Sequence, residues 1–300
     1  MKNHPQTLKK GDSIILVSPA RKISLEEMKP FIQLLEGWGL QVLLGKNILR
    51  EYHQYAGTNQ ERLEDFQEAL DHPDAKAILC ARGGYGSVRI IDQLDFAQFI
   101  QDPKWVIGYS DITVFHEYIN QKFNIETLHA TMPIDYTKST PETFESLRKV
   151  LFGEPYVISV QNAVVYGSTS KIEGKIVGGN LSIIYSLLGS PSSIDTSGKI
   201  LFIEDLDEYL YHIDRMMVNL KRNNLLKNIK ALIVGGMSDM QDNTISFGKT
   251  AKEIILDACC EYDFPIIFNF PSGHIKDNRA LIFNKKCQLT IENDSVSITF

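Results

Sequence analysis

An apolar strand pattern passes through a glycine turn into a helical pattern in Trp105-Val-Ile-Gly-Tyr-Ser-Asp-Ile-Thr113. The order strand, turn and helix recurs through the first half of the chain, which predicts an open parallel α/β sheet covered by helices. The predicted strands are residues 13–18, 41–44, 75–80 and 104–107, and the predicted helices are residues 24–38, 59–71, a segment through Ile90, Ile91 and Leu94, and 113–122. In such a sheet, ligands bind at the carboxyl ends of the strands.

Composition limits the classes of protein to which the chain can belong. It has 300 residues, of which 43% are hydrophobic, and a formal net charge of −6. The 31 Lys and Arg residues are scattered rather than gathered into a basic stripe, so nucleic acid is not expected as a partner. Residues 1–11 are polar and no long apolar stretch follows, so neither export nor membrane spanning is expected. Four cysteines without C-x-x-C spacing favour a reducing cytoplasm, without disulfides or a cysteine metal site.

The periodicity changes near residue 140, where Lys138-Ser-Thr-Pro-Glu142 interrupts the alternation. We therefore predict an N-terminal domain at residues 1–137, a linker at 138–170 and a C-terminal domain at 171–300. The second domain is predicted to be mixed α and β, with strands at 175–177, 199–203, 230–234 and 265–270 and an antiparallel hairpin within 286–300.

Ser110 lies in the turn between a predicted strand and a predicted helix. A catalytic nucleophile occupies this position in a strand-to-helix turn. The segment resembles the G-x-S-x-G elbow but has Ile112 in place of the second glycine. Taken alone, the segment is more typical of a serine that only caps the following helix.

A glycine-rich loop, Ala81-Arg-Gly-Gly-Tyr-Gly-Ser87, follows the third predicted strand. Three glycines in four positions expose consecutive backbone N–H donors, which suits an anion cradle or part of an oxyanion hole. Arg89 stands where a dinucleotide fingerprint needs its third glycine, and no Walker lysine is present. A tight turn that needs glycine only for its geometry is the alternative.

Two further segments in the second half carry candidate chemistry. Ile203-Glu-Asp-Leu-Asp-Glu208 ends a predicted strand with four carboxylates, which could orient a histidine, bind a cation or cap the next helix through Asp205 or Asp207. His274 lies in a loop after an apolar strand, where a general base is plausible. His129 is a second predicted loop histidine, with either a place in the pocket or a structural hydrogen bond.

Together these segments resemble the LD-carboxypeptidase family, which includes the microcin-C immunity peptidases. The resemblance rests on residues 81–86 and 107–111, Gly178-Gly-Asn180, residues 201–205 with 213–215, and Gly273-His274, in that order. It implies a Rossmann-like N-terminal domain with a parallel sheet and a C-terminal mixed α+β domain with a barrel-like sheet.

The resemblance also implies a Ser-Glu-His triad: Ser110 as nucleophile, His274 as base and Glu204 as the carboxylate that orients it. The implied oxyanion donors are the backbone N–H of Asp111 and one from Gly83-Gly84. Arg82 is a candidate for pairing with the terminal carboxylate of a substrate, unless it forms only a local salt bridge. No metal or organic cofactor is expected.

The activity implied is hydrolysis of the bond between an L-diamino acid and D-alanine in murein tetrapeptide, in peptidoglycan recycling, by a cytoplasmic homodimer. The alternatives are cleavage of an aminoacyl-nucleotide analogue, as in the immunity branch, and a non-catalytic α/β ligand-binding protein. Residues 129–132 and 278–281 depart from the family pattern, which bears on the substrate rather than on catalysis.

Overall fold

The computed structural model describes residues 4–161, 163–292 and 295–300. Its contacts divide the chain into two compact units. Unit 1 contains the residues up to Tyr156 together with Lys276–Asn284, and unit 2 contains Val157–Ile275 with Lys285–Phe300.

Unit 1 is built from alternating strands and helices. The strands are β1 (Ser13–Val17), β2 (Gln41–Leu44), β3 (Ala75–Cys80), β4 (Trp105–Gly108), β5 (Thr127–His129) and β12 (Leu281–Phe283), and the helices are α1 (Leu25–Gly37), α2 (Asn59–Asp71), α3 (Ala97–Gln101), α4 (Thr113–Phe123) and α5 (Pro141–Phe152). Helices α1 and α2 both begin at capping boxes, which satisfy their first backbone N–H groups.

The sheet of unit 1 has the order β12-β5-β4-β3-β1-β2. All its pairings are parallel except that of β12 with β5. The predicted parallel sheet is thus confirmed, in the doubly wound order 2-1-3-4-5, and β1 and β3 flank the switch point where ligands bind in such folds. The helix predicted through residues 90, 91 and 94 is wrong: two short 3-10 turns, Ser87–Arg89 and Ile91–Gln93, stand there.

Unit 2 contains a second layered α/β arrangement. Its helices are α6 (Leu181–Leu187), α7 (Leu210–Arg222) and α8 (Ala251–Cys259), and its strands are β6 (Val157–Val160), β7 (Val164–Tyr166), β8 (Ser170–Asn180), β9 (Ile200–Leu206), β10 (Ala231–Ser238), β11 (Ile266–Phe268), β13 (Lys286–Glu292) and β14 (Ser295–Thr299).

The sheet of unit 2 has the order β6-β14-β13-β8-β9-β10-β11-β7. Strands β8 to β11 are parallel, and the other four pair antiparallel, including the predicted β13–β14 pair. The mixed sheet predicted for this half is confirmed; among the described residues it is open, with β6 and β7 at its edges. A buried apolar core joins β8 to β11 with the inner faces of α6, α7 and α8.

The contact units differ from the predicted domain ranges in two places. Residues 138–170 contain α5, β6 and β7 rather than a bare connection, because α5 buries Leu147, Val150 and Leu151 within unit 1. Residues 276–284 belong to unit 1, because β12 extends its sheet beside β5.

Two further sequence predictions concern the whole chain. Within the described residues, every helix is too short or too polar to cross a membrane. The four cysteines are free; Cys259 is buried, as expected of a small apolar residue, whereas its neighbour Cys260 is exposed just beyond the end of α8.

Candidate active site

The backbone of unit 1 turns sharply at Ser110, directly after β4. Ser110 has a φ of 64°, in the left-handed region that residues with a side chain rarely adopt. At Gly108, where φ is 154°, a Cβ would lie 2.8 Å from Ile112 Cγ1. The glycine therefore leaves the space that Ile112 fills. A serine held on a strained strand-to-helix turn is presented as in a nucleophile elbow, although the second glycine is missing.

The alternative interpretation of Ser110 as a helix cap does not fit this geometry. Ser110 is the first residue of a 3-10 turn, Ser110–Ile112, whose N-cap is Tyr109, and α4 has Ile112 as its N-cap. Neither cap makes a side-chain hydrogen bond. The interpretation of Ser110 as a cap is therefore wrong.

Gly83 of the glycine-rich loop lies against Ser110. A Cβ at Gly83 would stand 3.0 Å from Ser110 Cβ, 3.2 Å from its Oγ and 3.4 Å from the backbone nitrogen of Asp111. Within the described residues, the backbone N–H groups of Gly83 and Asp111 have no hydrogen-bond acceptor. Two unused donors thus belong to backbone segments that meet at Ser110, and donors of this kind suit an oxyanion.

Asp111 joins the two turns through its side chain. Its carboxylate is buried and accepts a hydrogen bond of 2.8 Å from the Ser87 backbone N–H. Burial raises the pKa of the Asp111 carboxyl, and the hydrogen bond from Ser87 opposes the rise. The side chain of Asp111 therefore links the Ser110 turn to the glycine-rich loop, and its backbone N–H remains free to donate a hydrogen bond.

Arg82 and Gly84 lie on either side of Gly83 in the same loop. Arg82 Nη1 donates to the Lys22 carbonyl oxygen at 3.1 Å, and Arg82 forms no ion pair among the described residues of unit 1. Gly84 is exposed with a φ of 110°, and a Cβ there would collide with the Arg21 side chain.

Two histidines of unit 1 are structural in position. His116 on α4 donates from Nε2 to the Gly108 carbonyl at 2.9 Å, which supports the end of β4, and burial lowers the pKa of its ring to about 3. His129 is the last residue of β5 and is buried, so the prediction of a loop histidine is wrong.

Unit 2 brings the predicted orienting carboxylate, Glu204, into contact with the predicted base, His274. Glu204 lies near the end of β9 with no exposed surface, and its Oε2 accepts hydrogen bonds from His274 Nδ1 at 2.6 Å and from the His274 backbone N–H at 3.1 Å. A carboxylate only accepts, so Nδ1 carries the proton and the lone pair of the neutral imidazole lies on Nε2. That tautomer is the one a general base needs.

Close backbone approach makes the Glu204–His274 pair possible. Gly273 has a φ of 101°, and a Cβ there would lie 2.7 Å from Glu204 Cβ, Cγ and Oε2. On the other side of the loop, Gly236 N–H donates to the Ser272 carbonyl at 3.0 Å, and Ser238 Oγ donates to the His274 carbonyl at 2.6 Å. Sequence reasoning missed these β10 residues, and the paired glycines inside an apolar strand were the available signal.

The other carboxylates of residues 203–208 make contacts that differ from those of Glu204. Asp205 accepts hydrogen bonds from Asn180 Nδ2 at 2.9 Å and from the Ser182 N–H at 2.8 Å, so it organises the start of α6. Helix α7 has Tyr209 as its N-cap without a side-chain hydrogen bond, so the prediction that Asp205 or Asp207 caps it is wrong. Burial, then the negative charge of Glu204, raises the pKa of Asp205 to about 7.

Comparison with known proteins identifies the family. Residues 14–130 match the LD-carboxypeptidase N-terminal domain, and residues 173–289 match the LD-carboxypeptidase C-terminal domain. The chain belongs to the LD-carboxypeptidase family. It is therefore a member of a family of carboxypeptidase hydrolases, and the two matched segments carry Ser110 and the Glu204–His274 pair respectively.

Relatives of this LD-carboxypeptidase family member span nearly its whole length. The probable murein peptide carboxypeptidase of Bacillus subtilis (strain 168) is 34% identical over 97% of this chain and 93% of its own. The microcin C7 self-immunity protein MccF of Escherichia coli is 26% identical over 96% of this chain and 93% of its own. Among solved structures, muramoyltetrapeptide carboxypeptidase from Oxalobacter formigenes has a TM-score of 0.85 at 25% identity, covering 96% of this chain and 98% of its own.

Proposed function

We propose that this chain is a serine LD-carboxypeptidase that releases D-alanine from murein tetrapeptide by cleaving the bond after the L-centre of the diamino acid. The observation that carries the proposal is the pairing of Glu204 Oε2 with His274 Nδ1 at 2.6 Å, because it prepares the base that Ser110 requires. The strained turn at Ser110 and the murein-directed names of its relatives support it further.

In the acylation step, Ser110 Oγ attacks the carbonyl carbon of the scissile amide while His274 Nε2 accepts the hydroxyl proton. The carbonyl oxygen becomes an oxyanion, for which the backbone N–H groups of Asp111 and Gly83-Gly84 are the proposed donors. The C–N bond then breaks, and His274 returns the proton to the leaving amine of D-alanine. The product is an acyl-enzyme on Ser110.

In the second step, water attacks the acyl carbon and gives its proton to His274, which passes it to Ser110 Oγ as the ester bond breaks. Glu204 keeps the imidazole in the Nδ1–H tautomer and stabilises the imidazolium formed in each step. Arg82 is our candidate for pairing with the terminal carboxylate of the substrate.

Replacement of the nucleophile tests this proposal. Ser110→Ala should lower kcat for D-alanine release from murein tetrapeptide by about 10⁴-fold or more, because it removes the oxygen on which the acyl-enzyme forms. Ser186→Ala, which removes an exposed hydroxyl on α6, is the matched control and should keep the parental rate. Equal release by parent and Ser110→Ala would contradict the nucleophile assignment and favour a non-catalytic ligand-binding protein.

A second candidate keeps the same residues and changes the substrate. The similarity to the self-immunity protein MccF over nearly the whole chain favours cleavage of an aminoacyl-nucleotide analogue. Measuring kcat/KM for such an analogue beside murein tetrapeptide separates the two, and a higher value for the analogue would replace the first proposal.

The setting we propose is peptidoglycan recycling in the cytoplasm by a homodimer, with neither nucleic acid nor a membrane as partner. The dimer is checked by sedimentation velocity at micromolar concentration, where a single species with the monomer mass of 34.0 kDa would contradict it.

A further inference from the structure

A buried arginine in unit 1 lies behind the glycine-rich loop. Arg62 projects from α2, is 2% exposed and is the largest fully buried side chain of the described residues. Its guanidinium Nη1 donates to the carbonyl oxygens of Pro19 and Gly86, the latter at 3.1 Å, and Nη2 donates to Asn59 Oδ1. Pro19 follows β1 and Gly86 follows β3, so one side chain joins the loops on both sides of the switch point.

The same loop is tied to the nucleophile turn from the opposite direction. Ser87 donates its backbone N–H group to the Asp111 carboxylate at 2.8 Å, and Asp111 follows Ser110 in the chain. The peptide group between Gly86 and Ser87 is thus held through its carbonyl by Arg62 and through its N–H by Asp111. A Cβ on Gly86 would lie 2.6 Å from Arg62 Nη1 and 3.0 Å from Ala20 Cα, so only glycine fits between them.

Stability alone is a poor reason for this arrangement. Arg62 has no ion pair within 4 Å among the described residues, and its Nε has no hydrogen-bond partner there. Burial lowers the pKa of its guanidinium, although Tyr55 and the charge of Asp111 oppose that shift. Desolvating a charge is unfavourable, and apolar residues of similar volume often stabilise such a position better. What Arg62 provides instead is a planar fork that fixes two carbonyl groups at once.

The loop fixed in this way carries the backbone donor beside the serine. Gly83 lies only three residues before Gly86, and a Cβ added to it would stand 3.2 Å from Ser110 Oγ. We propose that Arg62 is a positioning residue that, with Asp111, braces loop 83–87 so that the Gly83 N–H is held at the oxyanion position. This inference rests on the proposed function.

Two variants and one control test the brace in the full-length protein. Arg62→Met keeps an unbranched apolar side chain and removes the fork, and Arg62→Lys keeps the charge. Arg89→Met removes an exposed arginine from the adjoining turn and serves as the control. For D-alanine release, Arg62→Met should lower kcat by about 10- to 1000-fold with little change in KM, because a displaced oxyanion donor acts on the transition state.

Arg62→Lys should recover only part of that loss, and Arg89→Met should keep the parental kcat. A merely structural role would lower the melting temperature of Arg62→Met and leave kcat per folded molecule unchanged, which would overturn the proposal.

Hydrogen exchange tests the brace without reference to activity. The Ser87 amide should exchange at least about tenfold faster in Arg62→Met than in the parent or in Arg89→Met, because Asp111 alone then holds its peptide group. Unchanged protection would overturn the brace even if the enzyme is active. An inactive parent with the expected exchange would instead overturn the proposed function and leave the brace supported.

Discussion

At the residue scale, the Glu204–His274 pair depends on a position that has no side chain. Gly273 combines a φ of 101° with a Cβ site 2.7 Å from three atoms of Glu204. Glu204 is buried and cannot retreat into solvent, so any side chain at 273 must displace either the carboxylate or the loop that carries His274.

Gly273→Ala should therefore lower kcat for D-alanine release at least about tenfold, because it lengthens the hydrogen bond between Glu204 and His274. Gly248→Ala is the matched control, since Gly248 also has a positive φ, 81°, but nothing lies within 4 Å of its Cβ site. Both variants carry the strain of a left-handed alanine, so equal kcat values in the two would contradict the role given to close approach.

The sequence predicts some residues of the candidate site well and others not at all. Ser110, Glu204 and His274 stand at strand ends within motifs, and their positions at the ends of β4 and β9 and after β11 could be predicted. Arg62 could not, because helical spacing in residues 59–71 predicts an apolar face at Leu63, Phe66 and Leu70. The structure buries Arg62 and Asp65 beside Phe66 and leaves Leu63 half-buried. Arg62 is buried because its guanidinium donates hydrogen bonds to loop carbonyls, and a hydrophobic periodicity gives no sign of such bonds.

At the element scale, the first turn of α6 is held by the carboxyl group of Asp205, whose pKa is raised. Burial raises the pKa of Asp205 from its ordinary value of 3.8 to about 7, with the charge of Glu204 as the second cause. The folded protein therefore holds a proton that the unfolded chain releases near pH 4. The resulting contribution to stability is present below about pH 4 and is lost as the pH rises through about 7.

Replacing the carboxyl by an amide should remove this pH dependence. Between about pH 4 and 8, the free energy of unfolding of the parent should fall relative to that of Asp205→Asn by up to about 4 kcal/mol. Urea titrations at several pH values measure the difference. The exposed carboxylate Asp207 supplies the control Asp207→Asn, and parallel curves for the parent and Asp205→Asn would contradict the prediction.

Elements whose signal lies in their own residues could be predicted, and short ones that depend on distant partners could not. Strands β2 and β3 and helix α2 have the predicted bounds. Strand β12 has three residues and no alternation, and only its pairing with β5 makes it a strand. Local pattern carries no information about such a partner.

At the scale of the whole molecule, the chain leaves unit 1 after Tyr156 and returns to it for residues 276–284. The return segment pairs β12 with β5, and Phe283 packs against the rings of His116 and His129. Hydrogen bonds also tie it to α5, from Asn278 N–H to Thr143 Oγ1 and from Ala280 N–H to Ser146 Oγ.

A fragment of residues 1–137 should therefore fail to fold, because it lacks both α5 and β12. Residues 1–156 joined by a flexible linker to 276–284 restore both elements and should unfold in one cooperative thermal transition, followed by circular dichroism. If 1–137 alone unfolds at the same temperature and as cooperatively, the domain range predicted from the sequence is the right one and the return segment is dispensable.

Because the chain returns to unit 1 late, the order of synthesis on the ribosome affects how unit 1 folds. Strand β5 emerges long before β12, and all of residues 157–275 are translated in between. During that interval β5 presents an unpaired edge, of the kind that pairs with other chains. Completion of unit 1 must wait for nearly all of unit 2 to be synthesised, so a nascent chain of this family member is exposed to misassociation until its last strands arrive.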